Sequence, residues 1–84
     1  MWIATNRGFL SVVTADPARL PKPDCEPIRN RDPLCVRARN VAHLKELFPG
    51  YTVFEFPGRD YPARIFIARG DFRQFMAEQI DAID

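Results

Sequence analysis

Two segments of the chain alternate apolar and other residues strictly enough to indicate β-strands, and both carry arginines. They run from Leu34 to Arg39 and from Tyr61 to Ala68. Because neighbouring side chains of a strand point to opposite faces, one face of each segment is apolar, with Leu34, Val36 and Ala38 in the first and Ala63, Ile65 and Ile67 in the second. The other face carries Arg37, Arg39, Arg64 and Phe66. The pattern predicts a sheet with a core face and an arginine-bearing face.

Two further strands are predicted at the start of the chain, from Trp2 to Thr5 and from Phe9 to Thr14. Asn6-Arg7-Gly8 joins them as a three-residue turn, with glycine at the position where a positive φ is usually needed. Both faces of this hairpin carry apolar residues. The surplus must be covered by the segment 15–32, buried in a dimer, or left as a contact patch.

Residues 15–32 interrupt the strands with four of the eight prolines and eight charged side chains. Proline fixes φ and removes a hydrogen-bond donor, so an irregular loop is predicted here. A loop of this length is either a mobile, variable insertion or a binding loop.

The remaining segments predict two helices and one more strand. Asn40 is a suitable N-cap for a helix over 41–48, and Phe72, Phe75, Met76 and Ile80 have helical spacing within 69–83. Between the helices, 51–56 reads as a strand that turns at Pro57-Gly58-Arg59-Asp60 into the last strand. The order ββ-β-α-ββ-α predicts one α+β domain over 1–84, an antiparallel sheet of about five strands with two helices on one face.

Composition narrows the class of protein further. With 84 residues, 46% of them hydrophobic, the chain can bury one modest core. Its net charge is +1, and ten of its twelve basic residues are arginines, whose planar fork suits phosphate, carboxylate and aromatic partners. No transmembrane run and no secretory signal are present, which predicts a cytoplasmic protein without a membrane partner. A monomer and a homodimer are both compatible with the sequence.

Catalytic and metal-binding patterns are missing from the sequence. Cys25 and Cys35 belong to no CxxC pair, a reducing cytosol favours two free thiols, and one histidine leaves too few soft ligands for structural zinc. His43 flanks the apolar stripe of the first helix, where it is expected to be solvated. The sequence therefore predicts no cofactor, no metal and no enzymatic activity.

The candidate partner-binding residues are seven side chains of the two arginine-bearing segments and the turn between the last strands. They are Arg37, Arg39, Arg59, Asp60, Tyr61, Arg64 and Phe66. Arginine and tyrosine often dominate binding energy at interfaces, and arginines beside aromatic rings on a sheet can also hold single-stranded nucleic acid. The simpler alternative is a solvated face on which Arg37, Arg39 and Arg64 pair with Glu46 and Glu55 and contribute little to stability.

Three segments in combination resemble a family of small bacterial and phage-associated proteins of unassigned function. They are GFLSVV from Gly8, LCVRAR from Leu34 and GRDYPARIF from Gly58, followed by Ala82-Ile83-Asp84 at the end. Members of that family continue with an aromatic-Asn-Phe-Lys segment, so this chain resembles a shortened form.

In type, though in no motif, the chain is also similar to anti-CRISPR proteins, which are small inhibitors that occupy a surface of a nuclease or surveillance complex. That resemblance implies a non-enzymatic inhibitor of phage or mobile-element origin that binds a bacterial CRISPR complex and blocks its access to DNA. The alternative is a small nucleic-acid-binding module that uses the same arginine and aromatic face.

Overall fold

A five-stranded antiparallel sheet forms the body of the protein in a computed structural model that describes residues 1–5 and 8–82. The strands are β1 (Trp2–Thr5), β2 (Gly8–Thr14), β3 (Pro33–Ala38), β4 (Phe54–Glu55) and β5 (Ala63–Ala68), and the helices are α1 (Val41–Leu47) and α2 (Arg69–Asp81). The spatial order is β1-β2-β3-β5-β4. The predicted α+β class is confirmed.

The core lies between the sheet and the two helices, on the side that the alternation predicted. In the β3–β5 pair, Val36 is opposite Ile65 and both are fully buried. Leu44, Phe48 and Phe72 belong to the same buried cluster, so both helices pack on this face. We call it the helix-covered face, and the opposite side of the sheet the arginine face.

Both helices begin where the sequence predicted. The Asn40 side chain accepts a hydrogen bond of 2.8 Å from the backbone N–H of Ala42 and caps α1. The end of α1 is closed by the Phe48 N–H, which donates to the Leu44 carbonyl. α2 follows β5 directly and ends at Asp81. The predicted helix extended to Ile83, which lies outside the described residues together with Asp84.

The last two strands are shorter than predicted because proline limits their ladder. The prediction of 51–56 is wrong for most of its length, since β4 contains only Phe54 and Glu55. β5 begins at Ala63 rather than Tyr61, because Pro62 has no N–H to donate. The Pro62 carbonyl still accepts from the Phe56 N–H at 2.8 Å, which closes the hairpin.

The turns are partly as predicted. Gly8 has a φ of 128° and Gly58 a φ of 86°, values that residues with a Cβ rarely adopt. Asn6 and Arg7, the other residues of the predicted first turn, lie outside the described part of the chain.

The proline-rich loop packs on the arginine face and contains two short 3₁₀ turns, Pro17–Arg19 and Glu26–Ile28. The prediction that no regular element fits there missed these turns. Leu20 and Cys25 are the buried side chains of the loop. Cys25 and Ile28 line a small cavity together with Phe54 and Phe66, so the loop covers the β5–β4 end of this face.

His43 ties α1 to β1, and the prediction that it is solvated is wrong. Its side chain is buried, and its Nε2 lies 2.9 Å from the Thr5 hydroxyl oxygen. The same hydroxyl donates a 2.8 Å hydrogen bond to the Gly8 carbonyl. The contact with His43 joins the first hairpin to the helical layer.

Both cysteines are free, as predicted, and both are buried. Burial is the main cause that raises the pKa of both thiols, and Asp24 raises that of Cys25 further. A neutral, enclosed thiol is a poor nucleophile.

We predict that the Ile65→Ala variant loses about 2–5 kcal/mol of unfolding free energy, because it opens a cavity in the best-covered part of the core. Ile65→Val, a smaller deletion, should cost about 0.5–1.5 kcal/mol. Chemical denaturation measures both. An Ile65→Ala variant with wild-type stability would show that Ile65 does not face the core.

A second prediction concerns the thiols. In the native protein Cys25 and Cys35 should react slowly with Ellman's reagent, since the thiolate is scarce and enclosed at both positions. In guanidinium chloride both should react rapidly. Fast reaction of two thiols under native conditions, or a disulfide detected by mass spectrometry, would contradict this assignment.

Candidate functional site

One row of side chains crosses the arginine face from edge to edge. The ladders place these residues directly opposite one another on successive strands, and directly opposite residues share a face. From β1 to β4 the row consists of Trp2, Ser11, Arg37, Arg64 and Phe54. We call it the central row. It places two of the predicted arginines at the middle of the sheet.

Arg37 is held down on the sheet by Ser11. Its Nη2 donates a 2.7 Å hydrogen bond to the Ser11 hydroxyl, and Ser11 is only 2% exposed. The Nε atom of Arg37 is closed off from solvent and has no acceptor among residues 1–5 and 8–82. The expectation that Arg37 is simply a solvated charge is therefore wrong, and its replacement should affect stability.

Arg64 leans away from Arg37, toward the β4 side of the sheet. Its guanidinium carbon lies 4.9 Å from the centre of the Phe56 ring, and its Nε donates to the Tyr61 carbonyl over 3.4 Å. A cation over an aromatic face is attracted by the ring quadrupole. This contact holds Arg64 without neutralising its charge.

Tyr61 connects the two ends of the arginine face. Its ring makes an edge contact with the Trp2 ring at 5.4 Å, and the guanidinium carbon of Arg39 lies 5.3 Å from its centre. Because Trp2 is on β1 and Tyr61 precedes β5, the Trp2–Tyr61 contact spans β2 and β3.

The sequence also allowed a solvated face on which the arginines pair with Glu46 and Glu55, and these ion pairs are not formed. No carboxylate of the described residues lies within 4.0 Å of the guanidiniums of Arg37, Arg39 or Arg64. Glu55 is opposite Ala63, so it belongs to the helix-covered side, and Glu46 is on α1 on that same side. The sheet itself separates these carboxylates from the arginines.

Cys35 cannot supply the missing negative charge. It is opposite Phe66 on the arginine face, close enough for the charges of Arg64 and Arg37 to lower its pKa. Burial outweighs both charges and raises the pKa above its usual value. The thiol therefore stays neutral beside two cations.

The predicted site residues separate into three groups in the structure. Arg39 and Arg64 both contact Tyr61, and Arg37 is the ladder partner of Arg64. Phe66 lies against Phe54 with ring centres 5.7 Å apart, next to the proline-rich loop. Arg59 and Asp60 are exposed in the β4–β5 connection, as predicted from their turn position.

Three exposed apolar side chains belong to this face but were not predicted as site residues. Trp2 is 60% exposed, Phe9 61% and Val13 38%. Their alternation was visible in the sequence, but the register of β1 with β2 was not. That register pairs Ile3 with Leu10 and Ala4 with Phe9, and so turns Trp2 and Phe9 away from the helices.

Two depressions adjoin the first hairpin. One, of about 350 Å³, is lined on its outer side by Phe9, Arg39 and Tyr61. The other, of about 540 Å³, lies between β1 and the helices and is lined chiefly by apolar side chains, among them Ile3, Leu47 and Met76. The smaller one continues the aromatic surface of the arginine face.

The described residues contain neither a candidate metal cluster nor a helix that could span a membrane. Within residues 1–5 and 8–82, no group of three or more histidine, cysteine, aspartate or glutamate side chains could hold a metal ion. Neither helix in the described part of the chain is long and apolar enough to cross a bilayer.

Comparison with known proteins adds no relative. No protein-family model, curated protein or solved structure matches this chain. The resemblance to small bacterial and phage-associated proteins therefore stays a prediction.

We predict that Arg64→Met increases the unfolding free energy by up to about 1 kcal/mol, because it removes one of two like charges placed opposite each other and keeps an apolar stem beside Phe56. Denaturation at two salt concentrations tests this, since screening should shrink the difference. Arg73→Met on exposed α2 is the matched control, with an expected change within about 0.5 kcal/mol. A clear loss of stability in Arg64→Met would show that Arg64 is structural.

Proposed function

We propose that this chain is a non-enzymatic binding domain that docks a protein partner on its arginine face. The observation that carries the proposal is the opposed pair Arg37 and Arg64, which no carboxylate of the described residues neutralises. Like charges directly opposite on neighbouring strands are unfavourable for folding. A sheet that keeps them at its centre is better explained by binding than by stability.

The aromatic side chains around the pair support the same proposal. Trp2 and Phe9 are more than half exposed, and Tyr61 lies beside Trp2 and Arg39. Tryptophan, tyrosine, phenylalanine and arginine are the residues enriched at protein interfaces, and charged groups are depleted at their centres except for arginine. The arginine face has this composition.

The contacts among these side chains also lower the cost of binding. Tyr61 is packed against Trp2 on one side and Arg39 on another, so part of its rotational freedom is already lost in the free protein. Each rotamer-rich side chain that must be immobilised on binding costs about 0.5–1.5 kcal/mol. A surface fixed in advance avoids part of that loss.

In its narrower form the proposal names a bacterial CRISPR surveillance or nuclease complex as the partner, whose access to DNA the bound domain would block. This form is supported by the small size of the chain and by its resemblance in type to anti-CRISPR inhibitors. An inhibitor of this kind needs one contiguous patch of roughly 800 Å², and the arginine face is our candidate for it.

Single-stranded nucleic acid is the second candidate ligand. Arginines beside aromatic rings on an open sheet face favour it, because bases stack on rings while guanidiniums hold phosphates. The charge of the whole chain does not favour it. The sequence pI of about 7.8 is well below the value above 9 that is typical of nucleic-acid-binding domains.

Affinity purification from a bacterial lysate, followed by mass spectrometry, is the experiment that identifies the partner. Tagged wild-type protein should recover a protein that tagged Arg39→Glu does not, because the substitution reverses an exposed charge on the arginine face. Lys45→Glu on exposed α1 is a matched charge reversal and should still recover it. Recovery of CRISPR complex subunits supports the narrower form.

We predict that Trp2→Ala weakens binding to that partner by at least about 30-fold, the ratio that corresponds to about 2 kcal/mol for an aromatic interface anchor. The matched control is Ile80→Ala, which removes another exposed apolar side chain, on α2, and should leave the affinity unchanged. Isothermal titration calorimetry measures both. Equal affinities for Trp2→Ala and wild type would refute docking on the arginine face.

Nucleic-acid binding gives a different result in a salt titration. Affinity for a single strand should fall with a log-log slope of about −0.7 for each neutralised phosphate, whereas a protein-binding domain should show negligible affinity for free oligonucleotides. Fluorescence anisotropy with labelled single-stranded DNA and RNA separates the two candidates.

A further inference from the structure

The two guanidiniums of the central row make their contacts on opposite sides. Arg37 and Arg64 are Cα partners on β3 and β5, two interior strands of the sheet. Arg37 reaches back to Ser11 on β2, whereas Arg64 lies over the ring of Phe56, the residue that follows β4. This divergence is what repulsion between two opposed cations produces.

Arg37 keeps an unused donor next to that position. One edge of its guanidinium is occupied by Ser11, but its Nε–H is enclosed and has no acceptor in the described ranges 1–5 and 8–82. An enclosed donor without an acceptor is unfavourable, and more so when it belongs to a charged group. The Arg37–Arg64 pair therefore combines a hydrogen-bond donor that has no acceptor with two positive charges that have no carboxylate partner among the described residues.

Neither the missing acceptor for the Arg37 Nε–H nor the missing negative charge is supplied by the described residues. The carboxylates of Glu55 and Glu46 belong to the other side of the sheet, and the neighbouring Cys35 thiol stays neutral because it is buried. An anion supplied from outside would accept from Arg37 and reduce the repulsion from Arg64 at the same time.

We propose that Arg37 binds one carboxylate of an aspartate or glutamate side chain of the protein partner, and that Arg64, on the next strand, adds its positive charge to the attraction. This inference rests on the proposed function and names the chemistry that anchors it. Guanidinium and carboxylate match each other as planar forks with two parallel hydrogen bonds. The nearby rings of Trp2 and Tyr61 exclude water from such a bond, which strengthens it.

A carboxylate fits better than a phosphate of a nucleic-acid backbone. A strand of nucleic acid offers a phosphate at every nucleotide and is usually held by a positive track of several contacts. Here the arginines are confined to the middle of the face, Phe54 and Phe66 follow on one side, and Trp2, Phe9 and Val13 on the other. The surface offers the pair Arg37 and Arg64, with Arg39 beside it, within an apolar surround.

Sodium acetate is a probe of this position that needs no knowledge of the partner. In ¹⁵N-labelled protein the Nε–H resonances of Arg37 and Arg64 should shift with saturation as acetate is added, and should not do so with sodium chloride at equal ionic strength. The Nε–H of Arg73, on exposed α2, is the internal control and should show no saturating shift. Dimethyl phosphate, titrated separately, represents the nucleic-acid backbone.

Arg37→Lys keeps the charge but removes the fork, and we expect it to weaken acetate binding about tenfold. Arg73→Lys should not change it. If neither Arg37 nor Arg64 responds to acetate beyond the effect of chloride, the carboxylate site does not exist. Tighter binding of dimethyl phosphate than of acetate would overturn the assignment in favour of a phosphodiester ligand.

The acetate titration and the partner-binding measurements separate failure of the carboxylate site from failure of the proposed function. If acetate does not bind but Trp2→Ala still loses the partner, the arginine face is an interface that lacks this anchor. If acetate binds but Trp2→Ala and Arg39→Glu keep full affinity for the partner, the anion site is real and the docking proposal is wrong.

Discussion

The pairing of β3 with β5 is the constraint on which the rest of the structure depends. Six residue pairs hold these strands in register, and a slip of β5 by one residue against β3 would exchange the two faces of β5. Ile65 would then leave the core, and Arg64 would enter it. Burial of the apolar face against α1 and α2 therefore fixes the position of the arginines as firmly as that of the core.

On the arginine face, the proposed binding role and the stability of the fold make opposite demands. Packing of Arg37 on Ser11, of Arg64 on Phe56 and of Arg39 on Tyr61 supplies favourable local contacts. None of these contacts neutralises a charge. The helix-covered core provides the stability that allows the sheet to keep an unneutralised pair at its centre, and functional surfaces are commonly less stable than they could be.

The proline-rich loop and the first hairpin divide the opposite face into a covered end and an open end. The loop places Cys25 and Ile28 next to Phe54 and Phe66, so these rings have less freedom to meet a partner. Among the described residues, no loop covers β1 and β2 on this side in the same way, and Trp2 and Phe9 are exposed. The open end, with Arg37, Arg39 and Tyr61 beside it, is the part of the surface that the proposals concern.

Much of the fold could be predicted because its signals are local. Period-two alternation places Val36 and Ile65 inward and Arg37 and Arg64 outward, Asn40 is a recognisable cap, and Gly8 supplies a positive φ. The limits of β4 and the burial of His43 could not be predicted in this way. The limits of β4 depend on how its hairpin closes between Phe56 and Pro62, and the burial of His43 depends on its contact with Thr5, 38 residues away.

The sequence by itself determined which side chains share a strand face, since side-chain direction along a strand follows from backbone geometry alone. Only the tertiary structure decided which faces of different strands lie together. The register of β1 with β2 brought Trp2 into the row of Arg37, and the order β3-β5 placed Arg64 opposite it. Such pairings are set by the free energy of burying all the apolar faces at once, which no single segment specifies.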